Sequence, residues 1–199
     1  MLELVHESKF QDILLAIDWE LTARSRAQGC PYCGGVLHSA CYPRLLRGAP
    51  GSGASSVTTR HSFCCETCRR RLTPPSVRFF GRRRYSMVST LLLLAVKPGG
   101  DGDGKVRQDQ IRSLLGVSRR TLNRWRRWWR EIFVQTPFWS IARARFMPPV
   151  PHEALPGTLL DRFCGNDLHR LLNMLMFISP LNEPRFAQAG RGPSVSRRE

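Results

Sequence analysis

The sequence predicts an α+β fold that is mainly α, in which a small β module precedes a helical domain. Two C-x2-C pairs lie 31 residues apart, among short stretches rich in glycine, proline and β-branched residues, a composition typical of a small β module. Further along, a Gly-Val-Ser turn separates two segments whose apolar residues recur with helical spacing. We therefore predict a four-cysteine zinc ribbon followed by a helix-turn-helix.

These patterns divide the sequence into five segments. They are an N-terminal amphipathic helix (1–27), the zinc ribbon (28–80), the helix-turn-helix DNA-binding domain (81–136), a C-terminal helical segment (137–187) and a disordered basic tail (188–199).

Helical periodicity is clear in two regions outside the predicted DNA-binding domain. Residues 6–27 form the first helix, with its charged residues, Asp18 among them, placed away from an apolar face of Phe10, Ile13, Leu14, Ile17 and Leu21. Residues 166–178 form the second, which begins after Asn166 as a capping residue and stops at Pro180. Its apolar residues are Leu168, Leu171, Leu172, Leu175 and Met176.

Two cysteine pairs carry the metal prediction. Two thiolates separated by two residues can hold one ion, and the glycines after the first pair permit a tight turn. The predicted ligands of one structural Zn²⁺ are Cys30, Cys33, Cys65 and Cys68. Four thiolates leave no open position for a water, so we expect no catalysis at this ion.

The ligand set has one open choice, because Cys64 adjoins Cys65. Either thiol could act with Cys68, and the C-x2-C spacing favours Cys65. His38 and Cys41 are nearby alternatives, while Cys164 lies on an apolar stretch and is predicted to be a small buried side chain. A redox role for the pairs is disfavoured, because Gly-Gly follows the first pair and three arginines follow the second.

The net charge of +16 is concentrated in two parts of the chain. Residues 60–84 and 105–130 together hold 17 basic and 2 acidic residues, whereas the remainder holds 14 basic and 13 acidic. Of the 31 basic residues 28 are arginine, whose planar fork suits phosphate and guanine. This distribution indicates surfaces for a polyanion. In the first region we select Arg69, Arg70, Arg71, Arg82 and Arg83 as DNA contacts.

The second basic region contains the predicted helix-turn-helix. Ile111, Leu114 and Leu115 form the inner face of its first helix, Gly116 permits the turn, and Val117 fills the angle between the helices. Ser118 caps the second helix, which buries Leu122, Trp125, Trp129 and Ile132 and ends before Pro137. Its opposite face presents side chains that could read the major groove, and these are Arg119, Arg120, Asn123, Arg124 and Arg127.

The order of these motifs resembles a known class of module. Zinc knuckles, then RRRLTPPSVRFFGRRR over residues 69–84, then Gly-Val-Ser-Arg-Arg-Thr-Leu resemble the zinc-ribbon and helix-turn-helix regions of bacterial insertion-sequence transposases and their small accessory proteins. The resemblance covers about residues 28–134 and implies binding to transposon ends or to a promoter. The acidic-triad nuclease domain of that family has no counterpart here, so we expect no enzymatic activity from this chain.

The predicted function is therefore DNA binding, as a transposition accessory protein or transcriptional regulator. Double-stranded DNA is the predicted partner, a transposase or other protein is a second, and a dimer is compatible with the pattern. Two alternatives stay open: an RNA-binding zinc ribbon, and a nuclease or transposase component whose partner supplies catalysis. The absence of a secretory signal and the seven cysteines favour a bacterial cytoplasm with nucleoid association, and no membrane partner is expected.

Overall fold

The computed structural model describes residues 8–47, 55–79, 85–88, 90–91, 106, 109, 112–113 and 116–182. These residues form a mixed α+β fold. Several predictions fall outside them: Arg82 and Arg83 as DNA contacts, the apolar face of Ile111, Leu114 and Leu115, and the basic tail.

The β elements form two small antiparallel sheets. Strands β1 (Leu37–Ser39), β4 (Phe63–Cys65) and β5 (Arg71–Leu72) make a three-stranded sheet in the order β1-β4-β5. Strands β2 (Tyr42–Arg47) and β3 (Ser55–Arg60) pair separately, with Tyr42 opposite Arg60 and Arg47 opposite Ser55. The three-stranded sheet thus joins the segment after the first cysteine pair (β1) to the segments that lead into and out of the second pair (β4 and β5).

Helix α1 (Ser8–Ala27) confirms the predicted N-terminal helix, with one correction to each of its faces. Phe10 and Leu14 are buried, but Ile13 is 37% exposed and does not belong to the core. Asp18, expected among the polar residues, is 1% exposed. Its burial follows from a partner that helical periodicity cannot reveal.

That partner is the segment after β5. The Asp18 carboxylate accepts hydrogen bonds from Ser76 Oγ (2.8 Å), Val77 N (2.8 Å) and Arg78 Nε (2.9 Å). Arg78 also donates to Thr58 Oγ1 and to the Thr59 carbonyl. A buried carboxylate requires such compensation, so this network fastens α1 to the β region.

The second half of the described chain is helical. Its elements are α2 (Arg119–Arg127), a π-turn (Trp128–Ile132), a 3-10 turn (Phe133–Gln135), α3 (Pro137–Ala142), a 3-10 turn (Arg143–Arg145), α4 (Gly157–Leu160), α5 (Asp167–Ile178) and a 3-10 turn (Ser179–Asn182).

Side-chain caps begin the longer helices of this half. Ser118 accepts from Thr121 N at α2, and Asn166 accepts from His169 N at α5, which confirms both predicted caps. Thr136 caps α3, so Pro137 occupies the first turn of a new helix, where a missing N–H is tolerated. In α5 Met176, one of the apolar residues on which the helix was predicted, is 46% exposed.

The π-turn after α2 changes which residues face the core. A period of 3.6 residues from Trp125 and Trp129 predicts Ile132 as the next buried position. The wider π-turn holds about one extra residue, so Phe133 is fully buried and Ile132 is 42% exposed. The burial of Ile132 was therefore a wrong prediction, whereas Leu122, Trp125 and Trp129 are buried as expected.

One main hydrophobic cluster connects distant parts of the sequence. It includes Phe10 of α1, Leu91, Trp129, Trp139 of α3 and Leu175 of α5. The proline-rich stretch between α3 and α4 contributes Val150 and Leu155, so it wraps over this core. A second, smaller cluster surrounds the cysteine pairs.

Candidate metal centre and basic surface

The four predicted ligands come together in the structure. Their sulfur atoms all lie within 4.8 Å of one another, with Cys30 Sγ 3.6 Å from Cys68 Sγ and Cys33 Sγ 3.5 Å from Cys65 Sγ. A tetrahedral ion with Zn–S bonds of about 2.3 Å would place its sulfurs about 3.8 Å apart. The cluster therefore has dimensions that fit one metal ion.

The two cysteine pairs lie in turns with the same backbone hydrogen bonds. In the first turn, Gly34 N donates to Cys30 O (2.8 Å) and Cys30 N donates to Gly35 O (2.9 Å). In the second, Arg69 N donates to Cys65 O (3.1 Å), and Cys65 N donates to the carbonyl of the next residue (3.0 Å). The two knuckles are thus local repeats 35 positions apart, a relationship hidden in the sequence because Arg69 occupies the place of Gly34.

Hydrogen bonds within the cluster favour the thiolate form of Cys65. The backbone N–H of Cys68 is the main cause that lowers the pKa of Cys65 to about 6, with help from the Cys33 thiol, although burial opposes the shift. At Cys68 the backbone N–H of Arg70 favours the thiolate, but desolvation and the neighbouring thiols raise the pKa to about 12. The site holds a first thiolate readily and resists further negative charge, which a divalent cation would neutralise.

Close packing encloses the cluster on one side. Cys65 is fully buried, Cys30 is 4% exposed, and Leu37, Phe63 and Leu72 cover them. A Cβ added at Gly35 would lie 2.6 Å from Thr67 Oγ1 and 3.1 Å from Cys65 Sγ. Glycine at position 35 therefore permits the two knuckles to approach.

The alternative ligands lie outside the cluster. Cys64 is directed toward the Arg69 carbonyl (3.7 Å), so Cys65 is the member of the adjacent pair that joins the other three cysteines. His38 is exposed beside Glu66, and Cys41 contacts His61. Cys164 is exposed, which contradicts its predicted burial: it precedes α5 in a surface turn.

Only part of the first basic region is a basic surface. Arg69, Arg70 and Arg71 are exposed on the second knuckle, and the Arg70 guanidinium lies 4.7 Å from the centre of the Tyr32 ring on the first. Arg60 and Arg78, however, are 1% and 7% exposed. These two guanidinium groups lie in the interior, where burial lowers the pKa of Arg60 to about 10. The excess of positive charge at the surface of this region is therefore smaller than the number of arginines in its sequence implied.

Arg69 has an unusual backbone. Its φ of +57° is the one positive value recorded for a non-glycine residue in the part of the chain that the structure describes. Residues with a Cβ avoid this region at a cost of about 1–2 kcal/mol. No sequence pattern predicts an arginine in this conformation.

Helix α2 presents all five predicted residues to solvent. Arg119, Arg120, Asn123, Arg124 and Arg127 are exposed on the face opposite Leu122 and Trp125. Arg119 pairs with Asp109 at 3.4 Å and Arg127 with Glu131 at 2.7 Å, yet their side chains are 73% and 75% exposed. Exposed pairs of this kind contribute about 0–1 kcal/mol, so both arginines can exchange partners at small cost.

The turn before α2 is ordered by the residues predicted for it. Gly116 has φ +60° and Val117 is 1% exposed. The Val117 N–H donates to the Arg112 carbonyl (2.9 Å), and Arg112 and Ser113 are helical. A helical segment, a tight turn and a capped basic helix therefore follow one another here.

The fold and site define a mixed α+β protein with a four-cysteine cluster that could hold one metal ion. Comparisons with protein-family models, curated protein sequences and solved structures returned no match. Among the described residues, none of the helices combines the length and apolar character needed to cross a bilayer.

Proposed function

We propose that this protein binds double-stranded DNA through a helix-turn-helix, and that one structural Zn²⁺ stabilises its ribbon. The observation that carries the proposal is the two-sided character of α2. One face is anchored by Leu122, Trp125 and the following Trp129, and the other holds four exposed arginines and an asparagine. A rigid helix with this surface suits the major groove.

Zinc is the ion that the donor set favours. Four thiolates in a tetrahedral arrangement are typical of structural zinc sites, and the hard cations Mg²⁺ and Ca²⁺ prefer oxygen ligands. Cys30, Cys33, Cys65 and Cys68 would hold the ion and thereby join the two knuckles. Since the ligand set is complete, the chemistry supplied is structural, and we propose no enzymatic activity.

In this proposal some side chains of α2 contact base edges and others contact phosphates. Arginine can bond guanine O6 and N7, and asparagine can bond adenine N6 and N7. Residues in the N-terminal half of a recognition helix reach base edges, which assigns that role to Arg120, Asn123 and Arg124. Arg127, one turn later, and the knuckle arginines Arg69, Arg70 and Arg71 would bind phosphates.

The biological role that we propose is that of a transposition accessory protein or a transcriptional regulator. Its support is the motif order that resembles insertion-sequence transposases. A partner that supplies catalysis is compatible with this role.

If α2 contacts DNA, two single substitutions on its exposed face should lower the affinity for DNA. Arg120→Ala and Arg124→Ala should each weaken binding to a selected duplex by about 1–3 kcal/mol, because each removes a base contact or a charge-assisted phosphate bond. Selection from a random duplex pool would supply the ligand, and titration between 50 and 200 mM salt would give the affinity and its salt slope.

Arg145→Ala is the matched control, because it removes the same charge from an exposed position in the 3-10 turn after α3. Its effect should be small. Equal losses in all three variants would show a nonspecific charge effect, and wild-type affinity in both α2 variants would remove this helix from the interface. Competition between duplex DNA and structured RNA tests the alternative that the protein is an RNA-binding zinc ribbon. A preference for RNA would reverse the choice of DNA as the ligand.

Arg69 allows function to be separated from stability. Arg69→Gly relieves a left-handed backbone, so the free energy of unfolding should stay the same or rise, by up to about 1 kcal/mol. Binding to DNA should nevertheless weaken, with a salt slope smaller by about 1, because a phosphate contact is lost.

Thermal or denaturant unfolding of the zinc-loaded protein measures the change in the free energy of unfolding. The salt titration measures the change in DNA affinity and its salt slope. Unchanged DNA affinity and slope in Arg69→Gly would exclude a role for this side chain in binding. A large loss of stability would instead show that the arginine is retained for structural reasons.

A further inference from the structure

Cys41 and His61 form a second cluster of chemically active side chains, outside the four-cysteine site. Cys41 is exposed just before β2, and its sulfur lies 3.6 Å from His61 Nδ1. His61 immediately follows β3 and is only 5% exposed. The Ser62 carbonyl, at 4.0 Å, is the more distant acceptor for the thiol.

The pair opens into a surface cleft of about 580 Å³ between α1 and the β2–β3 hairpin. Trp19 of α1 packs on the His61 ring with centroids 4.5 Å apart and is itself 61% exposed. Phe63 lines another part of the cleft, and Arg26 lies at its α1 side. The sulfur is therefore accessible, while the imidazole is held in place by packing.

Charged groups from three elements surround the imidazole. Asp18 of α1 favours its protonated form, whereas Arg60 of β3 and Arg78 after β5 oppose it, and Arg26 of α1 adds a fourth charge along the cleft. Burial is the largest effect and lowers the pKa of His61, with the two arginines acting in the same direction. The ring is thus neutral at pH 7, and Nδ1 can accept a proton.

We propose that Cys41 is a nucleophilic thiol, that His61 is its proton acceptor, and that the pair reacts with anionic low-molecular-weight disulfides. A Cys–His arrangement activates sulfur because the base removes the proton as the thiol attacks. Arg78 is paired with Asp18, so the net positive charge at the cleft comes from the exposed Arg26, which lines it, and from the buried Arg60 near His61. This charge favours a reagent that carries carboxylates.

The reaction balances without a further oxidant. The Cys41 sulfur attacks one sulfur of the disulfide R–S–S–R, a protein–S–S–R bond forms, and the original S–S bond breaks. The thiol proton passes to His61 Nδ1 and then to the departing R–S⁻, which leaves as R–SH. Cys41 is oxidised to the disulfide level, and the released half of the reagent is reduced.

The test uses the zinc-loaded protein and glutathione disulfide, with peptide mass mapping over time. Cys164 is an internal comparison, because it is exposed and belongs to the same chain. At pH 6.5 Cys41 should form the mixed disulfide at least about tenfold faster than Cys164, within the range of general base assistance. Equal rates at the two sites would overturn the proposal.

His61→Gln tests the base. In this variant Cys41 should no longer form the mixed disulfide faster than Cys164, and the Cys164 rate should be unchanged. A Cys41 rate equal to that of wild type would overturn the role of His61. Cystamine, a cationic disulfide, tests charge selection: the Cys41-to-Cys164 rate ratio should fall, and an unchanged ratio would refute an anionic preference.

The wild-type pH profile keeps the proposal falsifiable if His61→Gln does not fold. Because burial holds the pKa of His61 below its ordinary value, its neutral form predominates from pH 6.5 upward, and the Cys41 rate should change less than about threefold between pH 6.5 and 8. An ordinary thiol, which titrates near pH 8.5, should gain about tenfold or more. Parallel profiles at Cys41 and Cys164 would contradict activation by the imidazole.

Discussion

Replacing Cys65 with serine is expected to remove the metal and unfold the ribbon. Cys65 is fully buried at the end of β4, contributes one of the four clustered sulfurs, and adjoins a core of only three apolar side chains. Binding of structural zinc contributes about 10–16 kcal/mol in small zinc-finger peptides, which fold only with the ion. The zinc content should fall from one ion per chain to nearly none.

Cys64→Ser is a close control, because the two positions are adjacent and only Cys65 joins the cluster. Cys64→Ser should retain one zinc ion and the amide protection of β1, β4 and β5. The reverse result, with zinc lost from Cys64→Ser and kept by Cys65→Ser, would show that the ligand assignment is wrong. Hydrogen exchange with zinc measured on the same sample distinguishes loss of metal from general unfolding.

Replacing Asp18 with alanine is expected to lower the free energy of unfolding by about 3–5 kcal/mol. The carboxylate accepts three buried hydrogen bonds, and its removal leaves the 7% exposed guanidinium of Arg78 without its anion. The large effect reflects this uncompensated charge more than the intrinsic strength of the ion pair. Denaturant unfolding followed by circular dichroism would measure it.

Asp12→Ala on the same helix provides the comparison, since Asp12 is exposed and its removal should change stability by no more than about 0.5 kcal/mol. The double variant Asp18→Ala with Arg78→Met should recover part of the loss, because it removes the buried charge as well. A loss below about 1 kcal/mol in Asp18→Ala would contradict the proposed importance of this network.

Local patterns were sufficient for much of the secondary structure and for the two cysteine pairs that form the cluster. The spacing of Phe10 and Leu14 predicted α1, and the polar caps Ser118 and Asn166 predicted the starts of α2 and α5. Likewise, the C-x2-C spacing favoured Cys65 over Cys64. These predictions succeeded because each depends on residues within a few positions of one another, where backbone geometry alone relates sequence to structure.

Contacts between distant segments explain most of the failures, and a local break in helical periodicity explains one. Asp18 was expected among the polar residues of α1, and Arg78 lies in the first basic region, yet the two are 60 positions apart and neutralise each other in the interior. Ile132 was assigned to the core by a regular period that the π-turn interrupts. The Cys41–His61 pair gave no local signal, because β2 and β3 must pair before the two side chains meet.

The sequence by itself predicted the two cysteine pairs, the capped basic helix and the excess of arginine, since spacing and composition are local properties. It favoured Cys65 over Cys64 but left that choice open, and the structure places Cys65 in the cluster. Only the tertiary structure decided which arginines remain at the surface. Arg60 and Arg78 are taken into the interior near Asp18, whereas Arg69 and the five polar residues of α2 stay exposed. Burial depends on partners brought from remote positions, because a charge can leave water only where another part of the chain compensates for its lost hydration.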